Sequence, residues 1–254
     1  MLFNRKRDRM SSKKTRQNST DKKPTLEMLI DLTRVVMGVL ARLSFEKVNV
    51  LLGNKTLLSK KLEKVFEIAA DPFAAVRTEW EKFYLDHCNI VVDFSEVTIP
   101  TKPSEGSWRL IFVSQGLTMN VILAVMRAKF KAWVYAEDLD GNVPTNTRTS
   151  VQSYAKWVRD GVEPDEEYLG KTTRDADMTG TIGMTLLERL VLGVKHFVET
   201  GKHLDIKGWT ICTGSRYSDG SVPFVYWGPS TAEVKVNWCS VGSSNPTCGL
   251  RQAV

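Results

Sequence analysis

Apolar positions in this chain follow two periods: helical spacing dominates the first third, and two-residue alternation dominates the carboxyl end. After Pro24, the residues Leu26, Leu29, Ile30, Leu32, Val36, Val39, Leu40 and Leu43 recur every three or four positions, which predicts one amphipathic helix. A second helix is expected over 56–69, with Leu58, Leu62, Val65, Phe66 and Ala69 on its apolar face. Asp71-Pro72 reads as an N-cap followed by proline at the first helical position. The third helix it opens is expected to reach about Leu85 and bury Phe73, Val76, Trp80 and Phe83. These three helices are assigned to a helical domain at 25–88.

Residues 89–106 read as a strand or extended linker. Beyond them, Arg109–Val113 is a short apolar strand, and Thr118–Lys131 has helical spacing through Val121, Ile122, Val125 and Met126. Trp133–Tyr135 and Tyr154–Val158 are further strand candidates. The order β-α-β-β predicts a compact α/β module at 107–161, followed by a polar linker at 162–182. Thr185 and Glu188 stand at capping-box spacing, where hydroxyl and carboxylate satisfy each other's unpaired backbone N–H groups. The helix they open carries Leu186, Leu187, Leu190, Val191, Val194, Phe197 and Val198, and Gly201 supplies its stop. Strands follow at Trp209–Thr213, Val222–Trp227 and Glu233–Trp238, the last two forming a hairpin. The expected class is therefore α+β: an N-terminal helical region, a central small α/β module, and a C-terminal helix followed by a β-rich domain within 183–254.

Alternation assigns the hairpin's two faces. Val225, Trp227, Val234, Val236 and Trp238 share the face expected to be buried. Phe224, Tyr226, Lys235 and Asn237 share the other, and the Ser/Asn-rich end adds Ser240, Ser243, Ser244, Asn245 and Thr247. Aromatic anchors among adaptable Ser and Asn are the composition of recognition surfaces, so these nine residues are the candidate ligand-binding set. The competing expectation is that the helix at 185–200 covers Phe224 and Tyr226.

Composition excludes wholesale disorder, at 42% hydrophobic and 25% charged residues. The formal charge of +6 belongs to one end: residues 1–24 hold nine Lys/Arg against Asp8 and Asp21, and the remainder is near neutral. That segment is expected to be a disordered basic tail, with a weak nucleic-acid contact through residues 5–23 as a possible role, and Met10 is an alternative start. Four cysteines without C-x-x-C spacing argue for a reducing compartment. No apolar signal core follows the basic start. The most apolar run, Met28 to Leu43, is about 16 residues and contains Asp31, Arg34 and Arg42, against roughly 20 apolar residues for a bilayer span. A cytoplasmic protein without a membrane span is expected.

No catalytic constellation is legible. His87 and Cys88 are adjacent, and neighbours on a helix point about 100° apart. His196 and His203 are expected to place positive charge near a helix C-terminus. Asp138, Asp140 and Gly141 have part of a calcium-loop spacing, but Ala136 and Thr147 occupy its first and last ligand positions. Cys239 and Cys248 could meet across the last loop, yet they lack histidine partners for zinc. Arg216 and Asp219 are expected to pair and fix the turn at Gly214–Gly220, with a ligand-facing role as the alternative. No catalytic residue, metal site or cofactor is expected.

The runs Arg148–Gly170, Thr181–Asp205 and Trp209–Trp227, with Leu250-Arg251, resemble an uncharacterised bacterial family found in multiple copies in some very small candidate-phylum genomes. The resemblance covers about residues 107–254 and implies membership without a chemistry. Paired tryptophans, the Gly214-Ser215-Arg216 turn and Leu250-Arg251 also resemble the variable domains of diversity-generating retroelement target proteins. That second resemblance implies a C-type-lectin-like fold, a stable scaffold presenting diversified ligand-binding positions; the long Asn-rich run often found there is missing. The expected function is non-enzymatic binding of a protein or other ligand at the C-terminal domain. Nucleic-acid association through the tail and an enzyme of unknown type are the alternatives.

Overall fold

The computed structural model describes residues 25–254, which fall into two compact units meeting at Ala70/Asp71. The basic segment at 1–24, with its expected nucleic-acid contact and Met10, lies outside the described residues. The first unit is three helices: α1 (Leu26–Leu40), α2 (Phe45–Gly53) and α3 (Lys55–Ala70). Thr25 and Ser44 cap the first two, their hydroxyls accepting from the N–H groups of Met28 and Lys47. The apolar stripe read as one helix through Leu43 ends its helix at Leu40, and a helix that the patterning did not mark opens at Ser44. No side chain of α1 or α2 is buried.

The second unit begins with α4 (Ala74–Phe83), continued by a π-helical turn at Tyr84–Cys88 that closes at Asn89 in the left-handed region, φ 55°. The helix starts at Ala74 with Phe73 at its N-cap, two residues beyond the cap expected at Asp71, whose carboxylate instead takes the Phe73 N–H and the Arg77 guanidinium. Although adjacency in sequence groups α4 with the preceding helices, its face packs elsewhere. Trp80 Nε1 donates to the Leu110 carbonyl at 3.2 Å, and the Tyr84 hydroxyl donates to the Phe112 carbonyl at 2.8 Å. Residues 89–106, expected as a strand or extended linker, form no strand and contain a turn at Ser95–Glu96 and a bend at 104–106.

The remaining elements are β1 (Trp108–Val113), α5 (Met119–Arg127), β2 (Ala132–Val134), a short α6 (Leu139–Asn142), β3 (Thr145–Asn146), β4 (Tyr154–Arg159), α7 (Thr173–Thr179), α8 (Leu186–Thr200), β5 (Trp209–Ile211), β6 (Ser215–Arg216), β7 (Val222–Gly228), β8 (Glu233–Cys239) and β9 (Cys248–Leu250). The class is α+β, as the patterning predicts. The segment 107–161 does not close a sheet of its own. β1 and β4 pair antiparallel, whereas β2 leaves them to run parallel to β8. The main sheet has the order β2-β8-β7-β5-β9, and β3 pairs with β6. The stretch 162–182, expected as a loop, contains a 3₁₀ turn at Glu166–Tyr168 and α7, opened by a capping box of Thr172 and Asp175.

The capping box that opens α8 is present, and Gly201 ends the helix in the left-handed region. Leu186, Leu190, Val191 and Val194 pack beneath the sheet with Val225, Val234 and Val236, in one core with Ile111, Phe112, Ile122 and Met126. Among the described residues no helix is long and apolar enough to cross a membrane.

Candidate recognition face

Strand register determines which side chains meet on the face turned away from α8. Trp133 stands beside Lys235, and Lys235 beside Tyr226. Because Thr210 pairs with Val225, the next antiparallel step places Trp209 beside Tyr226, and their ring centroids lie 5.1 Å apart. Trp133, Lys235, Tyr226 and Trp209 thus form one row across four strands. The row below it is Asn237, Phe224 and Ile211. Lys235 pairs with Glu233 at 3.2 Å, which leaves this part of the face with little net charge.

The parity read from the sequence holds, but facing outward is not the same as being exposed. Phe224 is only 6% exposed. Its ring stacks on Trp209 at 5.1 Å and 10°, within a second small core of Ile211, Val222, Phe224 and Cys248. Phe224 is therefore corrected from exposed anchor to core residue. Its cover is Trp209, Val241 and Cys248 rather than the helix at 185–200, which packs under the opposite face. Tyr226, Lys235 and Asn237 are half-buried. Trp238 departs from its expected place in the opposite sense: it has the parity of Val234 and Val236, yet at the end of its strand it is 41% exposed and packs edge-on against Tyr135.

The chain from Ser240 to Thr247 runs beside this face. Ser243, Ser244 and Asn245 join Trp209, Ile211, Phe224, Cys239 and Cys248 around a slot of about 50 Å³. The structure thus brings four of the nine sequence-derived positions, Phe224, Ser243, Ser244 and Asn245, to one slot. Tyr226, Lys235 and Asn237 occupy the adjoining rows of the face. Ser240 bonds Ser243 at 2.9 Å, and Thr247 donates to Asn245 Oδ1, so these two shape the loop. Trp133 and Trp209, absent from the sequence-derived set, complete the row. Their signal was available only as pairings between strands far apart in the chain.

The other candidate groups serve the scaffold. Asp138 accepts from the Gly141 N–H, and Asp140 accepts from the N–H groups of Met119 and Asn120, so both carboxylates cap helices. Arg216 pairs with Asp177 at 3.1 Å, not with Asp219, whose carboxylate takes the Ser221 hydroxyl and N–H. Cys239 and Cys248 are free thiols, and burial pushes the Cys248 thiol up to about 11. His196 and His203 do not supply positive charge to the end of α8, because burial lowers the pKa of both. His203 is held between Phe197 and Trp227, the latter 3.8 Å away and nearly parallel. His87 is also lowered by burial, and its Nδ1 meets Lys129 Nζ at 3.1 Å. Among the described residues no group of three His, Cys, Asp or Glu side chains is placed to hold a metal ion.

No protein-family model, curated protein or solved structure matches the chain.

Proposed function

We propose that this chain is a binding protein whose C-terminal unit recognises a protein or other ligand through the outer face of its five-stranded sheet. The observation that carries the reading is the row Trp133–Lys235–Tyr226–Trp209, flanked by Asn237 and the Ser/Asn-rich segment 240–247. Rings that keep an accessible edge beside amides, hydroxyls and one cation combine a rigid apolar anchor with adaptable polar contacts. The underlying scaffold is independently rigid, since α8 and the buried Val225, Val234 and Val236 hold the strands from the other side. The resemblance to diversified variable domains supports the same reading.

The test is capture by the immobilised full chain from lysate of its own cells, compared with a Trp133→Ala/Tyr226→Ser double variant. The reading expects the captured ligand to be lost while the variant still unfolds in one cooperative transition. Equal capture by both proteins would refute it.

A further inference from the structure

The first unit, residues 1–70, carries 16 Lys/Arg against 7 Asp/Glu, a net of +9. The whole chain stands at +6, so the second unit holds −3. Positive charge is thus concentrated in one unit, and +7 of it falls in residues 1–24, directly before α1 in the chain.

The helix α1 supplies an independent observation. Glu27, Asp31 and Arg34 recur at spacings of four and three and form one narrow polar stripe, on which Arg34 pairs with Asp31 at 3.1 Å. Most of the remaining circumference is apolar, and Leu26, Met28, Leu29, Leu32, Val35 and Val39 are each 45% to 74% exposed. Phe45, Val50 and Leu52 of α2 are exposed as well, and neither helix has a buried side chain. Apolar surface of this extent marks a site of interaction.

The partner must offer both an apolar phase and negative charge. A nucleic acid offers phosphates but no apolar phase for α1. A second copy offers apolar surface but brings another +9 unit against the first. An anionic bilayer offers both: acyl chains for the apolar face, and phosphate and carboxylate headgroups for the basic residues. With 15 residues, α1 is about 22 Å long. That is too short to cross roughly 30 Å of hydrocarbon, but it suits a helix lying in the interface.

We infer that the first unit binds the surface of bilayers containing anionic lipid, with the apolar face of α1 among the upper acyl chains and its basic residues against the headgroups. Two weak signals act together here, apolar burial and polybasic attraction, and each alone gives only marginal anchoring. The inference does not depend on the ligand-binding reading, which concerns the second unit.

Flotation of the full chain with vesicles tests it, comparing pure phosphatidylcholine with phosphatidylcholine containing about one-third phosphatidylserine. Binding to the anionic vesicles is expected to be at least about tenfold stronger and to weaken as salt is raised. Leu32→Gln/Val39→Gln places a good helix former at two exposed apolar positions and is expected to weaken vesicle binding about tenfold. Replacing Lys13, Lys14, Lys22 and Lys23 together by Gln is expected to weaken it at least as much. Circular dichroism of each variant separates these effects from loss of helix. Absent binding, equal binding to both vesicle types, or binding that ignores the α1 change overturns the inference. So does tight binding to a DNA duplex by a chain that leaves anionic vesicles alone, which would assign the unit to nucleic acid instead.

Discussion

Arg251, the residue that follows β9, donates from Nη2 to Asp205 Oδ1 at 2.6 Å, with neither side chain exposed to solvent. Asp205 Oδ2 accepts from Arg189 on α8, and Arg251 also donates to Thr210 Oγ1 and to the carbonyls of Gly161 and Val162. One carboxylate therefore ties the residue after β9, the main helix and the loop at 161–162 together beside the sheet. Burial alone would raise the Asp205 pKa; Arg189 and Arg251 reverse that and hold it below the usual carboxylate value.

Breaking such a buried pair from one side leaves an uncompensated charge. Arg251→Ala or Asp205→Asn is expected to cost about 3–5 kcal/mol in urea unfolding. A loss below about 1 kcal/mol would place the group among surface pairs, which contribute that little. Because the folded carboxyl is held below its unfolded value, its contribution is complete at neutral pH and lost as pH falls through the acid range.

His203 gives a second pH signature. Burial lowers its pKa from 6.5 to about 4, with Arg189 and His196 adding repulsion. The neutral ring is favoured in the folded state, so its contribution is complete above pH 6.5 and lost as pH falls from there towards 4. His203→Phe keeps the ring between Phe197 and Trp227 and is expected to flatten the unfolding temperature over this window. A variant with the parent's slope would show that another group controls it.

Phe224 and Tyr226, two residues apart on one face, are expected to separate stability from recognition. Truncating a core phenylalanine costs roughly 3–5 kcal/mol, so Phe224→Ala is expected to lower stability strongly. Tyr226→Ala, at a half-buried position, is expected to cost less than half as much and to impair binding. Equal destabilisation by the two, measured by chemical denaturation, would remove the distinction between core and face.

Gly183 lies where a Cβ would come within 1.9 Å of Thr213 Oγ1. Gly183→Ala is expected to destabilise by about 1–3 kcal/mol through overpacking, read from the urea midpoint. An unchanged midpoint would mean that Thr213 simply moves aside.

Local patterns made the elements legible and long-range pairing hid their arrangement. Thr185 and Glu188 announce α8 because a capping box lies within four residues. The alternation of Val225 and Trp227 against Phe224 and Tyr226 gives the sheet's two faces correctly. It cannot reveal that Trp209, Val241 and Cys248 roof one side of that second face. Nor can it show that Trp133 sits beside Lys235, about a hundred residues later, since each strand alone fits several partners. The apolar face of α4 reads like that of any amphipathic helix, and only Trp80 and Tyr84 bonding to β1 reveal its place in the second unit. Asp205 and Arg251, standing 46 positions apart, carry no sequence sign of being one site.

Amide hydrogen exchange of the full chain, with and without its captured ligand, addresses the recognition face most directly. The account predicts added protection at Trp133, at Tyr226 and from Lys235 through Asn245, with exchange in α8 unchanged. Protection confined to α1–α3, or to the groove lined by Trp108 and Trp157, with none on the outer sheet face, would contradict it.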